Sequence, residues 1–199
     1  MQLLKIFAVP LFIFRFEKHH KYVFSDIDKI DNTPQGWKLS LNSTFPSIPD
    51  DDQLVPKIIR DNLMKDLGNQ ISSNLSEYNL PNKFKIKHFW YNVYHDAQGQ
   101  EPHTHLNGCM AKNPYWCGIY YNKGSTPTTF FNPNTVNRVH KFPHNSDEFQ
   151  DIHSDTIKPT ITDGDVILFP PYLEHCVELT TSDTMLSLIH ISEPTRPTW

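Results

Sequence analysis

The residues best suited to chemistry in this chain are three histidines. The stretch EPHTHLNG carries His103 and His105 one residue apart. Side chains of an extended segment alternate between faces, so these two imidazoles point the same way while Thr104 points opposite. Two imidazoles on one face are two-thirds of a facial metal site, and the third ligand must come from elsewhere. The segment DGDVILFPPYLEHCVEL offers His175 just after an apolar run and a Pro-Pro turn, with Cys176 on the other face. An H-x-H pair alone is a weak signal, because in a chain with 11 histidines many are surface residues or hydrogen-bonded core residues. His88, His140, His144 and His153 have no comparable context and read as ordinary. Asp96 and His95 are the nearest substitutes if His105 is not a ligand.

The elements that must carry these residues follow from period and punctuation. After Pro81 the runs KFKIKHFWYNVY, WCGIYYN, TPTTFFNP, DVILFP and EHCVEL are short, aromatic and β-branched, separated by Gly, Pro, Asn and Asp, and read as strands. Before them, Ile59, Leu63, Leu67, Ile71 and Leu75 step by four, with Ile58 and Leu54 beside them, which predicts an amphipathic helix from Asp50 to Tyr78. Asp50, Asp51 and Asp52 suit its positive N-terminal end. A weaker helical pattern lies in EKHHKYVFSDIDKI, and DNTPQGWKLSLNSTFPSIPDDD reads as turns around a short extended piece. The opening MQLLKIFAVPLFIFRF is interrupted by Pro10, lacks a small-residue cleavage site and is too short to span a bilayer, so it reads as a first buried strand. The expected fold is α+β, mainly β: a jelly roll or cupin-like double-stranded β-helix with one or two supporting N-terminal helices.

A chain of 199 residues, 38% apolar and 13% aromatic, closes one substantial core. A single domain is expected over 1–185, with strand and helical support in 1–80 and the jelly-roll core in 81–185. The formal charge of -4 is interspersed and no basic run occurs, so neither nucleic acid nor an anionic membrane surface is an expected partner. Three cysteines, Cys109, Cys117 and Cys176, lack a framework spacing and read as free thiols in a reducing, cytoplasmic compartment.

The order of features, with Tyr94 on the entering strand, a turn at Gly99, H-x-H, the GIYYN strand, Asp-Gly-Asp, VILFP and a distal histidine, resembles the 2-oxoglutarate/Fe(II)-dependent dioxygenases, in particular the prolyl 4-hydroxylase-like branch and its small phage-type relatives. The likeness runs from about Phe84 to Met185. It implies a double-stranded β-helix that holds iron through an H-x-D/E…H triad, here at His103, His105 and His175. The departure is at His105, where a carboxylate is usual; three neutral imidazoles leave the full dipositive charge of the ion and a softer donor set. Three protein ligands leave three positions for 2-oxoglutarate and dioxygen. By the resemblance, decarboxylation of 2-oxoglutarate to succinate drives hydroxylation of a substrate C–H bond. Tyr94 and Tyr121 match positions where the family places tyrosines near the cosubstrate, with core packing as the other reading of each, and Asn92 shares Tyr94's face. Trp90 and Trp116 read as packing residues. The polar, aromatic stretch from Ile119 to His153 is expected to form a loop that selects the substrate, either a protein side chain or a small molecule. Two other functions fit the same histidines: a cupin-like three-His metalloenzyme without 2-oxoglutarate, and a non-catalytic metal-binding module.

The family also implies a basic residue about ten positions beyond the distal histidine, and CVELTTSDTM contains none. The stretch LSLIHISEPTR, Leu186 to Arg196, resembles the translated transposase adapter of sequencing libraries, so 186–199 is expected to be a non-native tail. Arg196, between Pro194 and Pro197, is badly placed for a paired strand. The alternation in LSLIHIS could still pair as a counterfeit strand, and His190 is not expected to be a ligand. The natural protein is expected to carry an arginine or lysine near position 186.

Overall fold

The computed structural model describes residues 9–22, 38–44, 57–80, 86, 88–106, 115–124, 126–134, 155–180 and 186–192. Its strands are β1 (Phe12–Arg15), β2 (Asn42–Ser43), β3 (His88–Tyr94), β4 (Gln100–His103), β5 (Cys117–Lys123), β6 (Thr129–Phe131), β7 (Thr156–Ile157), β8 (Asp165–Phe169), β9 (His175–Val177) and β10 (Leu186–Ser192), with one helix, α1 (Lys57–Glu77). A larger sheet has the order β1-β8-β5-β10-β3-β2 and a smaller one β4-β9-β6-β7. From β3 onward the chain passes repeatedly between the two sheets and every pairing is antiparallel, which is the double-stranded β-helix expected from the strand pattern.

Period-2 alternation splits each central strand between two cores. In β3, β5 and β8 the residues Tyr91, Val93, Tyr120, Val166 and Leu168 face α1, where they pack with its Leu63, Leu67, Ile71 and Leu75. Their neighbours Tyr94, Ile119, Tyr121, Ile167 and Phe169 fill the space between the sheets with Phe130, Leu173 and Val177. Each fully buried leucine or isoleucine contributes roughly 1.5–3 kcal/mol. The helix is also tied at its rim: the Lys18 ammonium lies 2.8 Å from Asp66, the Tyr22 hydroxyl donates to the same carboxylate at 2.8 Å, and Gln70 Nε2 donates to the Arg15 carbonyl at 2.7 Å. These contacts hold the Asp66 carboxyl below its usual range, while burial and that hydrogen bond push the Tyr22 phenol up to about 12.

Several expectations need correction. The helix stripe is buried from Leu63 to Leu75, but Ile59 and Ile58 are exposed, at 36% and 71%, and Arg60 takes the buried place. The reason is geometric: each step of four residues overshoots a full turn by about 40°, so a stripe read as i, i+4 drifts off one face. The first strand is an edge strand rather than a buried one, with alternate residues of Phe12–Arg15 exposed. Of the second helical pattern, the described part forms only a 3-10 turn at His19–Lys21. Leu186–Ser192 does pair, as the alternation of LSLIHIS allows: it forms the strand between β3 and β5, with Leu186 opposite Tyr94 and Leu188 opposite both Asn92 and Tyr121. An alternating seven-residue run is enough to satisfy the two flanking rows of backbone donors and acceptors. Cys117 and Cys176 are free. The three aspartates before α1, Leu54, Cys109, His140, His144, His153 and most of the expected substrate loop lie outside the described residues.

Candidate metal centre

His103 ends β4 and His175 begins β9, and the two are directly opposite in the antiparallel ladder. Cross-strand partners have Cβ atoms about 4.5–5.5 Å apart, and the imidazole centroids accordingly lie 4.3 Å apart. His105 follows two residues later, where its N–H donates to the Pro171 carbonyl at 2.9 Å and keeps the extended chain beside the turn that leads into β9. Its ring centroid is 5.3 Å from that of His103 and 5.1 Å from that of His175. One nitrogen from each ring lies within 4.8 Å of the other two, and among the described residues this is the group of three able to hold an ion. Asp96 and His95 are not part of it; Asp96 is exposed in the turn after β3.

The tautomers are set by the backbone. His103 Nδ1 donates to the Glu101 carbonyl and His175 Nδ1 to the Leu173 carbonyl, each at 2.9 Å. A carbonyl only accepts, so in both rings Nδ1 carries the proton and Nε2 keeps the lone pair that a metal requires. Burial, followed by the neighbouring His103, lowers the His105 pKa to about 3, and burial also lowers that of His103. Burial thus favours the neutral form of His103 and His105, and three imidazoles that each offer a nitrogen fit a divalent first-row metal ion. Phe169 packs edge-on against His175 at 4.7 Å and Trp90 lies 5.9 Å from His105, so Trp90 borders the site as well as packing.

Tyr94, Asn92 and Tyr121 are fully buried nearby. The Tyr94 hydroxyl accepts from Asn92 Nδ2 at 3.1 Å and donates to Gln100 Oε1 at 2.8 Å, while Gln100 Nε2 lies 3.2 Å from His103 Nε2. Tyr121 is separate from this chain of bonds: its hydroxyl lies 2.8 Å from Thr128 Oγ1 and accepts from the Thr128 N–H at 3.1 Å. Burial raises the pKa of both phenols, that of Tyr121 to about 12, so both stay protonated. Sequence reasoning missed Gln100. Strand alternation puts it on the face opposite His103, but β4 has one residue more than β9 between the pairs Gln100–Val177 and His103–His175, and this irregularity across Glu101 and Pro102 returns Gln100 to the histidine side. Gly99 admits the approach of the two strands, since a Cβ there would stand 2.8 Å from the Val177 carbonyl oxygen.

A family described as "Putative 2OG-Fe(II) oxygenase" matches residues 88–187, half of the chain. No curated protein matches the sequence. Among solved structures, HygX from Streptomyces hygroscopicus with nickel, 2-oxoglutarate and hygromycin B is similar at 11% identity and a TM-score of 0.61, over 96% of this chain and 84% of that one. A Pseudomonas putida prolyl-4-hydroxylase is similar at 10% identity and a TM-score of 0.57, over 95% of each chain. A Trichoplax adhaerens prolyl hydroxylase in complex with a peptide fragment of hypoxia inducible factor gives 11% identity and a TM-score of 0.57, over 93% of this chain and 83% of that one. At such identities the likeness is one of fold, and it is the double-stranded β-helix. The chain belongs to the 2OG-Fe(II) oxygenases, enzymes that work with Fe(II), 2-oxoglutarate and dioxygen.

Proposed function

We propose that the chain hydroxylates a C–H bond of its substrate, with His103, His105 and His175 as the iron ligands. The observation that carries this reading is the convergence of three imidazoles, one nitrogen of each lying within 4.8 Å of the others. When bound, Fe(II), 2-oxoglutarate and dioxygen supply the oxidising power, with 2-oxoglutarate leaving as succinate and carbon dioxide. The chain's own residues orient and enclose. The Glu101 and Leu173 carbonyls hold the two cross-strand rings in the ligating tautomer. Tyr94, Asn92 and Tyr121 are assigned to the cosubstrate side, Tyr121 as a phenol able to donate to a carboxylate, and Asn92 and Tyr94 through the hydrogen bonds that lead to Gln100.

The substrate is a protein side chain or a small molecule; the fold neighbours include one solved with a peptide fragment and one with hygromycin B. No described helix is long and apolar enough to cross a membrane. With free thiols at Cys117 and Cys176, this supports a cytoplasmic enzyme. The interspersed charge supports no nucleic-acid or membrane partner.

The donor set leaves two other readings. A third imidazole where the family places a carboxylate also suits a cupin-like metalloenzyme that does not use 2-oxoglutarate, and a metal-binding module without turnover would share the same ligands. Succinate formation that requires Fe(II), 2-oxoglutarate and oxygen together is expected for the first reading and for neither of the others. His105→Asp is expected to retain or improve Fe(II) binding. If His105→Ala binds iron as tightly as the parent, the ligand assignment at that position is wrong.

A further inference from the structure

His103 stands at the end of a one-way run of buried hydrogen bonds that starts in β2. Ser43 Oγ donates to Asn92 Oδ1 at 2.5 Å, Asn92 to the Tyr94 hydroxyl, and Tyr94 to Gln100 Oε1; the Gln100 amide nitrogen then meets His103 Nε2 at 3.2 Å. Ser43, Asn92 and Tyr94 are 0% exposed and Gln100 is 1% exposed. The polarity is forced from the histidine end. Because the Glu101 carbonyl takes the Nδ1 proton, His103 Nε2 is a bare lone pair, which only the NH2 side of Gln100 can serve. The carbonyl side of Gln100 then faces Tyr94, whose proton it accepts. That leaves the Tyr94 oxygen to accept from the Asn92 amide, and the Asn92 oxygen to accept from Ser43.

The same lone pair is the only one His103 has for an ion, so Gln100 and a metal compete for it. We propose that Gln100 is a positioning residue of the metal centre. Without an ion its carboxamide holds His103 in the ligating tautomer, and once an ion takes Nε2 the freed N–H, still aimed through Tyr94, donates to an anionic oxygen ligand of that ion. This rests on the oxygenase reading and names, within it, a residue that trades metal affinity for cosubstrate affinity. Removing the competing neutral bond tightens ion binding by about twofold to tenfold, whereas removing a donor to a carboxylate weakens its binding by about tenfold or more.

Equilibrium titration of the full chain with Ni(II), and then of the Ni(II)-loaded chain with 2-oxoglutarate, tests this in the parent and in Gln100→Met, which keeps the length of the side chain and loses both polar atoms. Opposite shifts are expected: tighter Ni(II) and weaker 2-oxoglutarate. A residue that merely packs would move both affinities the same way or neither, and either result overturns the proposal. If Gln100→Met loses its circular dichroism signature, Gln100→Glu replaces it, since the carboxylate still accepts from Tyr94 and has no proton to donate. The same opposite shifts are expected there, and unchanged 2-oxoglutarate affinity overturns the proposal. A parent chain that binds no Ni(II) overturns the ligand assignment of the three histidines and this inference with it, whereas Ni(II) binding that is indifferent to Gln100 overturns the inference alone.

Discussion

The two faces of the larger sheet are built from adjacent residues and yet work differently. Tyr91 and Val93 pack under α1 with Leu63, Leu67, Ile71 and Leu75, in an apolar layer whose ion pair and hydrogen bonds to Asp66 and Gln70 lie at its rim. Asn92 and Tyr94, the alternate residues of the same strand, enter the space between the sheets, where a polar run continues to a histidine cluster. The outer face is stabilised by area removed from water, which tolerates imprecise partners. The inner face depends on each buried donor meeting one acceptor, which does not. Both sides of the sheet bury an apolar core, but the polar run and the three histidines lie on the inner side.

Changes confined to one face sharpen that division. The largest effect is expected at the histidines: His103→Ala or His175→Ala should reduce Fe(II) affinity by more than the roughly 10- to 100-fold that follows from altering a residue behind a metal ligand. Anaerobic equilibrium dialysis measures it, and iron bound at parental affinity would remove the site. On the outer face, Leu67→Ala, at a fully buried position, should cost about 2–5 kcal/mol in urea unfolding while leaving Ni(II) affinity close to that of the parent. Loss of both together would mean the faces are not separable.

A third change tests the foreign-looking strand. Leu186→Arg, at the position opposite Tyr94, should improve 2-oxoglutarate affinity by about one to two decades, the worth of a charge-assisted bond to a carboxylate of roughly 1.5–3 kcal/mol. Equal affinities in parent and variant would end the expectation of a basic residue there. Truncation at Met185 is not a clean comparison, because it removes the strand between β3 and β5.

The smallest effect is a pH dependence of the ion-free protein. His105 has its pKa lowered from 6.5 to about 3 by burial, and His103 moves in the same direction. Between those values the unfolded chain binds protons that the folded chain refuses. The His105 contribution is therefore full above about pH 6.5 and falls as the pH drops towards 3, by at most ~1.4 kcal/mol per pH unit, and His103 acts in the same sense. Urea unfolding at several pH values measures the slope, and a flat profile across this window would show that the imidazoles are not enclosed.

Much of this was legible beforehand, for reasons that differ by residue. The H-x-H pair could be read because one residue of spacing in an extended chain always returns to the same face, and the distal His175 because it followed an apolar run that could only be a strand. Leu63 to Leu75 could be read as a helix stripe, but its start was misjudged at Ile59, since a spacing of four is not the helical period. Gln100 could not be read, because an irregularity between Gln100 and His103 reverses the alternation that any sequence argument must assume. For Leu186–Ser192 the alternation allowed a strand although the sequence resembles a translated adapter, but its partners, β3 on one side and β5 on the other, could not be read.

By itself, the order of residues determined the kinds of element, the faces on which His103, His105, Asn92 and Tyr94 lie, and the donor atoms on offer, because these follow from local backbone periods. Only the tertiary structure decided that His175 stands across the ladder from His103, that Gln100 meets the same ring, and that β10 occupies the middle of the larger sheet. Those meetings depend on strand register and bulges between segments far apart in the chain, and no local period encodes which distant strand will supply the partner.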